Sequence, residues 1–161
     1  MFDQTLQLGP QFFSLVETAL AINLLVAAIL GALLGLERSI AGKHAGMRTY
    51  ALVSLGSCLF VIIGTLASYQ LSFFAGINPL QIAGSIVIGI GFIGSGLALM
   101  GGQKQEITTA AGIWVAAGIG MASGFGLYLL AVATTLIAVA VFSFFWHIEN
   151  WVRGYFGTEA D

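Results

Sequence analysis

An all-α, polytopic membrane protein with five crossings is what the chain predicts, on three observations. Hydrophobic residues make up 58% of the 161 and charged residues 7%, with mean hydropathy +0.99, which leaves too little polar surface to clothe a water-soluble globule. The apolar residues fall into runs of about 20, the length at which a helix rising ~1.5 Å per residue crosses a ~30 Å hydrocarbon core. The five Lys and Arg residues, Arg38, Lys43, Arg48, Lys104 and Arg153, all lie in alternate connections. By the positive-inside rule those connections and the C-terminus face the cytoplasm, and the N-terminus lies outside.

Residues 1–17, with Asp3, Gly9, Pro10 and Glu17, read as an interfacial N-terminal segment. They lack the basic n-region of a cleavable signal peptide. Residues 18–146 read as the membrane domain and 147–161 as a short cytoplasmic tail. The first span runs from about Thr18 to Leu36, with Asn23 as its strongly polar residue and Gly31 and Gly35 at the spacing that lets helix backbones approach. An amide in hydrocarbon seeks a partner on a neighbouring helix, so Asn23 reads as packing glue.

Glu37, Arg38, Lys43, His44 and Arg48 then fall within a dozen residues, the densest charge in the chain. Glu37 at a helix C-terminus and Arg48 at a helix N-terminus each oppose the macrodipole. An interhelical Glu37–Arg48 pair would relieve both; solvated, orientation-setting charges are the plainer alternative.

The second span, Thr49 to Ser68, carries a small-residue stripe of Ser54, Gly56, Ser57 and Cys58, the last a packing residue rather than a redox centre. Pro79 suits the first turn of the third helix with Asn78 as its cap. That third span, Leu80 to Met100, contains Gly84, Gly89, Gly91, Gly94 and Gly96. Glycine costs a helix roughly 1 kcal/mol relative to Ala, so close packing, or local unwinding into a watery path, must offset it; packing is the default.

The fourth span starts near Ile107 and repeats the close-approach spacing at Gly120 and Gly124. Thr108 and Thr109 at its start could cap the helix or offer oxygens to an ion, capping being the default. A turn within Ser123–Gly126 separates it from a bulky fifth span, Leu127 to Trp146, that reads as lipid-facing. Trp146, Trp151 and Tyr155, with His147, Glu149 and Arg153, suit an interfacial anchor.

Three ordered blocks carry a resemblance. GLER (35–38), AGMRT (45–49) and ALVSLG (51–56), then IVIGIGFIGSGLALM (86–100), then ITTAAGIWVAAGIGMASGFGLY (107–128) are similar to the signature of the MgtC/SapB family of bacterial inner-membrane proteins. The resemblance implies five membrane helices and a link to growth under magnesium limitation. It makes Glu37, Arg38, Gly46, Arg48 and Thr49 the loop motif. The chain departs from the family pattern at Asn78 and Gln81, where Asp and Arg are common, at Ser85–Ile88, and at Glu106. The cytoplasmic C-terminal domain of many relatives is not expected after the fifth span.

Mg²⁺ takes hard oxygen ligands, and no carboxylate falls inside the spans drawn above, so the residues name no metal site. No P-loop, HExxH, nucleophile elbow or Cys/His metal spacing is present, and neither enzyme activity nor a cofactor is expected. His44 and His147 read as interface residues. Two functions stay in view. One is a regulator of magnesium or energy homeostasis, packing against itself or another inner-membrane protein. The other is an ion transporter or permeation subunit with a path along the third helix. The partners expected are the bilayer, a second copy of the chain and a membrane protein, with no nucleic acid.

Overall fold

The computed structural model describes residues 10–70, 78–101 and 105–156. Helix α1 spans Pro10–Ile40, α2 Met47–Gln70, α3 Pro79–Gly101, α4 Gln105–Gly124 and α5 Tyr128–Phe156, with no strand among the described residues. Each contains a stretch long and apolar enough to cross a membrane: Leu15–Ile40, Met47–Ser68, Leu80–Leu97, Ile107–Gly124 and Tyr128–Val152. Lys104, residues 1–9 of the interfacial segment and residues 157–161 of the tail lie outside the described residues.

The two outer helices run further than their apolar cores. Pro10 opens α1, where its missing N–H costs nothing, and no breaker intervenes before Thr18. Exposed Glu17 therefore sits inside the first crossing segment, as does Glu37, and Glu149 inside the fifth, which corrects the expectation that no carboxylate falls within a span. At the other end α5 continues through His147 and Trp151, where the Trp151 and Tyr155 rings stack with centroids 5.9 Å apart.

Helix ends are closed by local chemistry. The expected cap at Asn78 is present: its Oδ1 accepts the Leu80 N–H at 2.9 Å, with Pro79 in the first turn. The α4–α5 turn centres on Gly126, at φ +74°. There the Leu127 N–H reaches the Ala122 carbonyl at 2.8 Å and the Gly126 N–H reaches Ser123 at 3.0 Å, a Schellman closure that needs a left-handed residue. The same closure ends α1. Gly42 lies at φ +69°, the Lys43 N–H bonds the Arg38 carbonyl at 3.0 Å, and the Gly42 N–H bonds Ser39 at 3.1 Å.

Helix α4 is the hub of the bundle and contacts all four other helices. Helix α3 leans on α2 and α4 at one flank; α5 leans on α1 and α4 at the other. The core joins Leu30 and Leu34 of α1, Tyr50 and Val61 of α2, and Ile113, Ala116 and Ile119 of α4.

Helix α2 is gripped from two sides by glycine. A Cβ on Gly31 would lie 2.7 Å from the Ser54 Cβ and from the Tyr50 carbonyl oxygen; one on Gly35 would lie 2.7 Å from the Met47 Cα. From α4, a Cβ on Gly120 would lie 2.0 Å from the Ser54 carbonyl oxygen, and one on Gly124 would lie 2.9 Å from the Cys58 carbonyl oxygen. The two close-approach pairs thus meet successive turns of α2 that join at Ser54, Gly31 and Gly35 from it back to Met47 and Gly120 and Gly124 from it on to Val61.

The glycines of α3 do the opposite. The helix is continuous, and Gly84, Gly89, Gly91 and Gly96 have no neighbour within 4 Å of where a Cβ would stand, while Gly94 reaches only Ala110 at 3.5 Å. These glycines are left almost bare, so the close packing expected of them is not made among the described residues.

One polar contact ties the flanking α5 to α1. The Tyr128 hydroxyl donates to Oδ1 of buried Asn23. Interhelical hydrogen bonds in membranes are worth ~0.6 kcal/mol on average, so Asn23→Leu and Tyr128→Phe should each lower thermal stability slightly. A double variant no worse than the harsher single, in a detergent thermal-shift assay, would identify one shared bond; fully additive losses would refute it.

Candidate functional site

The charged motif sits where the C-terminus of α1, the N-termini of α2 and α4, and the last third of α5 converge. This is the basic end of the bundle. The Schellman turn brings the chain from Arg38 back over itself, so that Arg38 and Lys43 line the same space. Ser39, one residue on, turns to α2: its Oγ accepts the Met47 N–H at 3.0 Å and so caps that helix from outside. Gly46 is what admits it, since a Cβ there would lie 2.2 Å from the Ser39 Oγ. The AGMRT motif thus includes a glycine that makes room for a cap, an exposed Arg48 and a half-buried Thr49.

Glu37 does not pair with Arg48. Its carboxylate accepts from Nε and Nη2 of its own neighbour, Arg38, the latter at 2.7 Å. Adjacent residues on a helix do not face each other, which is why sequence spacing favours the interhelical partner. Two long side chains at a helix end overcome that divergence, and burial supplies the reason: Arg38 is 4% exposed and Glu37 17%. A guanidinium so enclosed needs its counter-charge within reach. The flat face of Arg38 also lies 3.8 Å from the Phe142 ring centroid on α5, a cation–π contact that joins the α1 terminus to the outer helix.

Beneath this pair is Tyr50, fully buried, whose hydroxyl donates to the Thr109 carbonyl at 3.2 Å. Gly112 makes the space: a Cβ there would lie 2.3 Å from the Tyr50 Oη and 2.8 Å from Phe142 Cζ. One glycine of α4 therefore holds both the α2 tyrosine and the α5 phenylalanine in place. Tyr50, Gly112, Phe142 and Tyr128 were not singled out by sequence reasoning. Aromatic residues in apolar runs carry no periodic mark there; a signal existed only in Tyr50 lying beside the AGMRT motif.

The Thr108–Thr109 pair divides. Thr109 is buried and meets Tyr50 through its backbone carbonyl, whereas Thr108 is exposed and lines a cleft of about 810 Å³ between α4 and α5, floored by the end of α1. Arg38 and Lys43 line its basic end together with Glu149 and Asn150, and Val115, Ile137 and Val141 line the apolar part. Asn23, Gly31, Gly35, Gly120 and Gly124 lie in helix contacts away from this cleft, and Gly89, Gly91, Gly94 and Gly96 lie on α3, which does not reach it. Among the described residues no three His, Cys, Asp or Glu side chains come together as a metal site. Ser54 Oγ, in the α2 stripe that the glycines meet, is buried with no hydrogen-bond partner among the described residues.

Four apolar helices around a central fifth, α4, with a buried ion pair at one end, define a multi-pass helical membrane protein. The chain belongs to the MgtC family, whose profile matches residues 24–151. It is 37% identical over 146 residues to the protein SrpB of Synechococcus elongatus, covering 83% of this chain and 80% of that one. It is 40% identical over 127 residues to YhiD of Escherichia coli strain K12, named as a candidate magnesium transporter, covering 77% of this chain and 59% of YhiD. It is also 40% identical over 117 residues to MgtC of Salmonella typhimurium strain 14028s, covering 72% and 48%. The chain thus spans only about half to three-fifths of YhiD and MgtC. No solved structure matches it.

Proposed function

We infer that this chain is a non-enzymatic regulator of magnesium homeostasis that works by helix-to-helix association in the membrane, with a second copy or another membrane protein. The observation that carries this reading is the set of bare glycines on α3, the flank of the bundle with least cover. In lipid, close van der Waals approach between small-residue faces is a principal source of helix association. The magnesium connection comes from the family and from the name of YhiD. The basic end faces the cytoplasm in this reading, because Arg38, Lys43 and Arg48 all gather there. The centre of the protomer is filled by α4, with α2 packed closely on it at Gly120 and Gly124 and on α1 at Gly31 and Gly35, which favours association over conduction through a single bundle.

The name of YhiD favours a second reading, in which the family carries magnesium across the membrane. One pair of measurements separates the two. With Cys58 buried, Gly91→Cys in native membranes should give a disulfide-linked species under mild oxidation, and the purified protein in liposomes should give no Mg²⁺ entry above empty vesicles. Mg²⁺ entry lost in Gly91→Leu or Thr109→Val, with no α3 cross-link, would replace regulation by transport.

A further inference from the structure

The cleft beside the buried ion pair has the shape and polarity of an amphiphile site, and we propose that it holds one diacyl phospholipid, phosphodiester at Arg38 and Lys43, one acyl chain along α5. Its lining on α5 runs from Thr134 to Asn150, ~24 Å at 1.5 Å per residue, against a leaflet of ~15 Å hydrocarbon plus its headgroup layer. Polarity is graded along that length. The inner part is walled by Ile137 and Val141, while the outer part carries Arg38, Lys43, Thr108 and Glu149. A soluble anion would use only the outer part, and a hydrocarbon only the inner.

Cation placement favours phosphate. Arg38 is held rigidly by Glu37 and by Phe142, so its position is set before any ligand arrives. Lys43 is brought beside it by the Gly42 turn. The α4 N-terminus opens onto the same end through Thr108, and its dipole favours negative charge. Glu149 and Asn150 on the opposite rim offer acceptors to headgroup hydroxyl or amine groups rather than to phosphate.

The test is native mass spectrometry of the full chain, released from micelles containing phosphatidylglycerol, diacylglycerol or inorganic phosphate. One phosphatidylglycerol per chain should be retained, with no diacylglycerol, and millimolar inorganic phosphate should not displace it. Lys43→Gln should weaken retention about five-fold, the worth of one basic residue at a lipid headgroup. Ala111→Phe, which fills the cleft from α4, should abolish it; Ile137→Trp fills the same space from exposed α5 should the first variant fail to accumulate. Equal retention of diacylglycerol, displacement by inorganic phosphate, or retention untouched by the filling variants would each overturn the proposal.

Discussion

Gly120→Ala is expected to prevent the bundle from closing. The added Cβ would stand 2.0 Å from the Ser54 carbonyl oxygen, 2.8 Å from its carbonyl carbon and 2.9 Å from its Cα. All three are backbone atoms of a continuous helix, so no rotamer change relieves the clash. Helix α2 is also held against α1, where a Cβ on Gly31 or Gly35 would stand 2.7 Å from Ser54 Cβ or from Met47 Cα. Overpacking by one methyl usually costs ~1–3 kcal/mol where side chains can yield; with helix backbone as the neighbour the loss should lie at or above the top of that range. Gly118→Ala is the internal control. It sits one half-turn away in the same helix with nothing within 4 Å, and replacing glycine there should be neutral or raise stability by ~0.4–1 kcal/mol through the unfolded chain. Fluorescence-detected size exclusion and thermal shift in detergent would read both. Equal behaviour of the two variants would refute the clamp.

That contrast also shows how much of the architecture could be read from residues alone. Apolar run lengths announce five helices, and the small-residue spacing at Gly31/Gly35 and Gly120/Gly124 marks two real helix contacts. The spacing does not say what each pair touches. A soluble helix declares its buried face by amphipathic periodicity, but a helix in lipid is apolar all round and loses that signal. Hence the glycines of α3 and α4 look alike in sequence, although Gly120 and Gly124 of α4 meet the α2 backbone and Gly84, Gly89, Gly91 and Gly96 of α3 meet nothing among the described residues. The central role of α4 was hidden for the same reason.

The charged end was legible in composition and misleading in pairing. Glu37 does need a cation, as the helix dipole requires, but the structure supplies Arg38 rather than Arg48. What decides the matter is burial at the junction with α5, through Phe142, which lies more than a hundred residues along the chain and carries no motif. Sequence spacing reports neighbours on one helix; it is silent about an aromatic ring brought over a guanidinium by the fold.

Arg38→Gln should therefore be among the most damaging single changes at the basic end, with an expected loss of ~3–5 kcal/mol, because it leaves the largely buried Glu37 carboxylate without its counter-charge. Glu37→Gln should cost less. The cation that remains sits in the last turn of α1, where the helix dipole favours it, and keeps the Phe142 ring beneath it. The double variant Glu37→Gln/Arg38→Gln removes both charges and should recover much of what Arg38→Gln loses, since a neutral pair carries no unpaired buried ion. Exchanging the charges, Glu37→Arg with Arg38→Glu, should fail to rescue: a carboxylate would then face the ring and oppose the dipole. Membrane abundance and thermal unfolding of the four variants give the order. If the exchanged pair matched the native chain, a simple attraction between two interchangeable charges would suffice, and the asymmetry that Phe142 and the α1 terminus impose would have to be abandoned.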